Sequence, residues 1–183
     1  LVIKQVLGNE QVTWYYVVSL IGKTLVLLIA PINTIVISYL TKRKELLTRS
    51  QFGKAVLAGG GVSLVFFLAC QVGTPLFVWL FYRNLYDSVK GLVTVVNLAQ
   101  ILGLFSAFLF ILVLTFTDEK WQLWIQLAHF AVLLVTSVLA ARAYGMIGFA
   151  WASLGANSLR VAAVIILGLV KAGKDKGGSN ADR

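Results

Sequence analysis

A chain of 183 residues of which 59% are hydrophobic and only 13% charged does not read as a soluble domain, where about a quarter of residues carry charge. Its net charge of +9 comes from basic residues gathered between apolar runs and in the tail. That distribution fits a protein oriented by positive loops against anionic headgroups, and it argues against nucleic acid as a partner.

In chain order, the opening LVIKQVLGNEQV (residues 1–13 form an outer connecting segment in this reading) has no signal-peptide pattern and no initiator Met. It reads as a chain entered midway, either closing a helix that begins upstream or resting on the membrane surface. Five runs of roughly 20 or more apolar residues then follow, each long enough to cross a bilayer. They are 14–40, 56–82, 89–116, 121–141 and 147–170. The fold class is therefore all-α: a polytopic transmembrane helical bundle of about five spans. Pro31 and Pro75 are the expected kink sites, since proline removes an amide donor and crowds the preceding turn.

The connectors set the orientation. The first, TKRKELLTRSQFGK, sets Lys42, Arg43, Lys44, Arg49 and Lys54 against Glu45 alone, and the chain ends in the basic segment KAGKDKGGSNADR. Both fall on one side by alternation, together with the short TDEK connector, so they are expected in the cytoplasm and the N-terminus outside. The tail 171–183 lacks large apolar residues and is expected to be disordered. Aromatic residues cluster near the span ends (Trp14, Tyr15, Tyr16, Trp79, Tyr82, Tyr86, Trp121, Trp124) and read as interfacial anchors.

Covalent chemistry finds little here. The sequence has one histidine, and neither Asp nor Glu falls within a span, so neither a catalytic triad nor a metal cluster assembles. No cofactor is expected, and no enzymatic role. Gly59–Gly61 lies inside an apolar run and suits close helix packing; Cys70 reads as a small packing residue. What remains is positive charge at depth. Lys23 sits roughly nine residues into the first span, about 13 Å at the helical rise. His129 and Arg160 sit near the middle of the last two spans, with Asn157 one turn before Arg160 on the same face. A cation at the bilayer centre costs roughly 2.5–3.5 kcal/mol on insertion scales, so it usually faces a partner or a wet cavity. Lys23 has two open readings, lining a cavity or snorkelling to the outer headgroups. His129 has two as well, contacting substrate or bonding a neighbouring helix. Arg142, at the outer mouth, is a further candidate. Without an embedded carboxylate, inward-facing cations favour an anionic substrate such as a phosphate-bearing lipid. The recurring amides Asn33, Gln71, Asn97, Gln100, Gln122 and Gln126 read first as interhelical hydrogen-bonding groups.

Three segments also resemble a known family. LGNEQVTWYYVVSLIGKTLVLLIAPINTIV, through Leu7-Gly8, Tyr15-Tyr16 and Pro31, resembles the start of the C-terminal lobe of polysaccharide flippases in the multidrug/oligosaccharidyl-lipid/polysaccharide exporter superfamily. TPLFVWLFYRNLYDSV resembles a later segment through Pro75, Leu80-Phe81 and Tyr86, and AYGMIGFAWASLGANSLR a late helix entry through Tyr144-Gly145 and Gly148. Thr13-Trp14 and Tyr82-Arg83 depart from the family's glycines. The resemblance implies a two-lobe transporter in which these spans are the last five of twelve and the N-terminal lobe is absent from this chain. It implies alternating access to a lipid-linked anionic oligosaccharide near the midplane of a cell membrane; the polar residues at depth, Lys23, Arg160, His129 and Asn157, with Arg142, are the candidate contacts to it. A drug or metabolite exporter of the same superfamily, or a non-catalytic scaffold subunit of a polysaccharide synthase, are the alternatives.

Overall fold

Long apolar runs with few helix-breaking residues give long helices, and in the computed structural model helices account for nearly all of the described residues, which are 2–42, 48–114 and 116–172. The order is α1 (Val2–Lys42), α2 (Arg49–Phe81), a single 3-10 turn (Arg83–Leu85), the short α3 (Tyr86–Val89), α4 (Val93–Leu114) and α5 (Glu119–Lys171). No strand occurs among the described residues, so the chain is all-α. Three helices in that set, Arg49–Phe81, Val93–Leu114 and Lys120–Lys171, are long and apolar enough to cross a membrane.

Several boundaries differ from those read off the sequence, each for a local reason. Residues 2–13 are helical on either side of a break at Gly8, and Val6, Leu7 and Val12 pack against the core. Helix α2 starts at Arg49, not 56, because Thr48 and Gln51 form a reciprocal capping box: the Thr48 hydroxyl accepts from the Gln51 amide, and the Gln51 side chain accepts from the Thr48 amide. Helix α4 starts at Val93, because residues 86–89 form their own short turn of helix ahead of it. Arg43, Lys44 and Glu45 of the first connector, and residues 173–183 of the tail expected to be disordered, lie outside the described residues.

The sharp breaks fall at glycine and not at proline. Pro31 and Pro75 sit inside α1 and α2, and the only residues with non-helical backbone in α1 and α5 are Gly8 (φ 78°, ψ 173°) and Gly145 (φ 64°, ψ −147°). A side chain opposes positive φ, so a full reversal of direction is easier at glycine than at proline, which keeps a helical φ. Gly145 divides α5 into arms 119–144 and 146–171. The arms run antiparallel: His129 on the first bonds Asn157 on the second, and a Cβ at Gly148 would run into the Ala140 carbonyl.

Helix α4 is the central post, packed on α1, α2 and α5. Two apolar cores are built along it. One joins Val17, Val18, Val78, Val89, Val96 and Ala99 to Phe149, Ala150 and Leu154. The other joins Phe52, Phe105, Leu109, Phe110 and Val113 to Val164. Trp14 and Tyr15, expected as interfacial anchors, belong to the first core: Tyr15 stacks edge-on against Phe149 at 4.9 Å and pairs with Ser153. The outer surface stays apolar, with Leu57, Val65, Val72, Leu123, Phe130 and Leu139 exposed. Helices that are apolar on their outward faces as well as inward suit a hydrocarbon surround.

Candidate functional site

The first core on α4 ends at Ala99 and the second begins at Phe105. Polar groups gather at and around this step, and three of α4's neighbours meet it. On the α2 side, Asn97 is fully buried. Its Nδ2 donates to the Cys70 carbonyl (3.1 Å) and to Gln71 Oε1 (3.2 Å), and its Oδ1 accepts from the Thr74 hydroxyl (3.2 Å). Gln71 Nε2 continues to Thr94 at 2.9 Å. On the α1 side, Gln100 lies against Gly22, where any Cβ would collide with it, and its Nε2 is buried without a hydrogen-bond partner among the described residues. Asn97 and Gln100, three residues apart, thus serve different neighbours.

On the α5 side the polar groups form a chain. Asn157 Nδ2 donates to the Ala99 carbonyl (2.8 Å), and Asn157 Oδ1 lies 3.2 Å from His129 Nε2. One turn further, the Arg160 guanidinium rests 4.8 Å over the ring of Phe110. Its Nε is buried and makes no hydrogen bond among the described residues. His129 and Arg160 together face a groove of about 150 Å³ between the two arms, otherwise lined by Ile125, Ala128, Val132, Ala156, Leu159 and Ala163. The walls are apolar, and the groups they present are an imidazole and a guanidinium. No carboxylate occurs in 49–81, 93–114 or 120–171, and no group of three or more metal-ligating side chains occurs among the described residues. A guanidinium beside such a groove sets positive charge in a low-dielectric setting, where a negative partner is favoured.

Comparison with protein-family models, with curated proteins and with solved structures finds no match to this chain.

Of the five residues singled out in the sequence, three meet here. Arg160 and Asn157 share a face, and the hairpin at Gly145 brings His129 to them. Lys23 stands apart. It is exposed on α1, with Nζ 4.3 Å above the ring of Tyr16, itself exposed. Arg142 is exposed on the first arm, three residues before the break. Phe110, which supports the guanidinium through its ring face, carries no mark in the sequence; it is one of many apolar residues in FSAFLFILVL.

Two further cavities carry no comparable chemistry. One of about 260 Å³ between α1, α2 and α4 is lined almost wholly by apolar groups, with Gly59 and Phe108 in close contact at its floor. A shallow cleft beside Gly145 exposes Tyr144 and Trp151.

Proposed function

We propose that this chain is the C-terminal lobe of a transporter that flips a lipid-linked anionic oligosaccharide across a cell membrane by alternating access. The observation that carries the reading is the Arg160 groove: an arginine whose buried Nε has no hydrogen-bond partner among the described residues, beside an imidazole, one turn beyond the level where the two apolar cores part, with no acid in the same helices' apolar segments to neutralise it. A pyrophosphate linkage supplies the acceptor oxygens and negative charge that such a pair of donors needs.

In this reading the two arms of α5 are separate spans, so that α1, α2, α4 and the arms cross five times, with the N-terminus outside and the C-terminus in the cytoplasm. A second helical lobe packs beside this one, and the substrate sits between them near the midplane. Exposed Lys23 and Arg142 then meet the anionic glycan as it passes, and the apolar outer faces meet lipid. The drug-exporter alternative, which calls for an embedded acid to take cationic compounds, has none in residues 14–42, 49–81, 93–114 or 120–171.

The test is flipping of a fluorescent polyprenyl-pyrophosphoryl oligosaccharide in proteoliposomes that contain the full-length protein. Arg160→Ala is expected to slow flipping at least about tenfold, the equivalent of roughly 1.4 kcal/mol, with reconstitution unchanged. Lys23→Ala is expected to slow it less. Flipping at the unsubstituted rate in the Arg160 variant overturns the reading.

A further inference from the structure

The hydrogen-bond chain Ala99–Asn157–His129 determines which nitrogen of the imidazole is left for other work. The Ala99 carbonyl can only accept, so the Asn157 group at 2.8 Å from it is the amide Nδ2, and Oδ1 faces His129. An amide oxygen can only accept in turn, so His129 Nε2 carries its proton in every protonation state. The neutral ring therefore holds its lone pair on Nδ1, outside this chain of bonds. Because the ring as a whole lines the same groove as Arg160, Nδ1 is the nitrogen through which that site can exchange a proton.

We infer that occupation of the Arg160 groove by an anion is linked to uptake of one proton at His129 Nδ1. This inference rests on the reading of the groove as an anion site. With the groove empty, protonation would set an imidazolium beside the Arg160 guanidinium with no counter-charge. An anion between them removes that repulsion and gives the new Nδ1–H an acceptor. The proton comes from water, one N–H bond forms, and no bond of the ligand breaks.

Among the described residues, no titratable side chain besides His129 and Arg160 lines the groove. Helix α4 carries no ionisable residue from Val93 to Leu114, the second arm brings only Arg160 to the groove, and the first arm brings only His129 itself. Lys171, the other cation of the second arm, lies 5.6 Å from the Trp121 ring, at the far ends of both arms. Glu119 and Lys120 lie at the start of the first arm and Arg142 near its close. Asn157 fixes the ring without titrating, which makes it a positioning residue for the proton site.

His129 is the single histidine of this chain, and comparison with His129→Gln assigns its ring signals in the full-length protein. The experiment uses the full-length protein in nanodiscs, labelled with 15N-histidine, and a farnesyl pyrophosphoryl hexose as probe, because its phosphate diesters do not titrate near neutrality. Near pH 7.5, about one unit above the ordinary imidazole range, the empty protein is expected to show the neutral tautomer protonated at Nε2. Saturation with the probe should produce the doubly protonated ring. Calorimetry in buffers of different ionisation enthalpy should show uptake approaching about one proton per probe bound, lost in His129→Gln while binding persists. An empty-state tautomer protonated at Nδ1, or binding with no proton uptake, overturns the linkage and leaves the anion site standing. Failure of the unsubstituted protein to bind the probe overturns the anion site and the linkage together.

Discussion

Asn97 and Asn157 tie α4 to its neighbours by the same chemistry with different consequences. Asn97 is fully buried and its amide serves three partners, so Asn97→Ala strands the Gln71 and Thr74 groups it pairs with inside a dry interface. In a membrane setting the partners can find substitutes more easily than in a soluble core. The expected loss is therefore about 1–2 kcal/mol, read as a shift in a reversible detergent unfolding titration. Asn157 bonds a backbone carbonyl that its own helix already uses, so its removal costs less stability and more positional order at His129. For Asn157→Ala the expected result is an unfolding midpoint near that of the parent protein together with a mixture of the two neutral His129 tautomers in the nitrogen spectrum. A single tautomer would mean that some other group orients the ring.

At the scale of the element, Gly145 makes the site, because Asn157 and Arg160 meet His129 only if α5 reverses there. Its backbone, at φ 64° and ψ −147°, lies where a Cβ is strained, and substitutions in such regions cost on the order of 1–3 kcal/mol. Gly145→Ala is expected to lower stability by that amount. Gly148→Ala should do comparable harm by a different route, since its Cβ would meet the Ala140 carbonyl across the hairpin and backbone cannot step aside. If both variants match the parent in the unfolding titration, the close approach of the arms is wrong. The same element shows what a sequence can tell. A turn between two apolar runs was legible in AYGMIG, and Thr48 with Gln51 three residues on is a start signal present in the sequence. That the breaks fall at Gly8 and Gly145 while α1 and α2 run on through Pro31 and Pro75 was not legible. Proline is tolerated within a long membrane helix when neighbouring groups serve the freed carbonyl, and pattern alone does not reveal them. Facing was harder still. When nearly every position of a helix is apolar, periodicity no longer says which side looks inward, so the separate partners of Asn97 and Gln100 and the support of Arg160 by Phe110 had no signal to carry them.

The whole molecule is layered along α4: an apolar core at each end, polar contacts where they part, and an apolar surface outside. Its proposed orientation rests on α2, whose 33 residues span about 50 Å at the helical rise, more than the roughly 30 Å of a hydrocarbon core. In the proposed topology its two ends therefore emerge on opposite sides. Arg49 and Lys54 mark the first end and the exposed Trp79, Tyr82 and Arg83 the second, with the Lys90–Asp87 ion pair (2.9 Å) just beyond. Positive residues prefer the cytoplasmic face and aromatic rings the interface; with the basic run from Lys42 to Lys54 on its side, the Arg49 end is expected inside. Ser50 and Ser88, both exposed, are suitable reporters. In a Cys70→Ala background, Ser88→Cys is expected to react with a membrane-impermeant maleimide in intact cells. Ser50→Cys should react only after permeabilisation, because α2 carries it to the other face. Reaction of both from the same side would mean that α2 does not cross. The reverse pattern would invert the proposed topology, with the N-terminus inside and the open end of the α5 hairpin outside, and the anion would then reach the Arg160 groove from the other compartment.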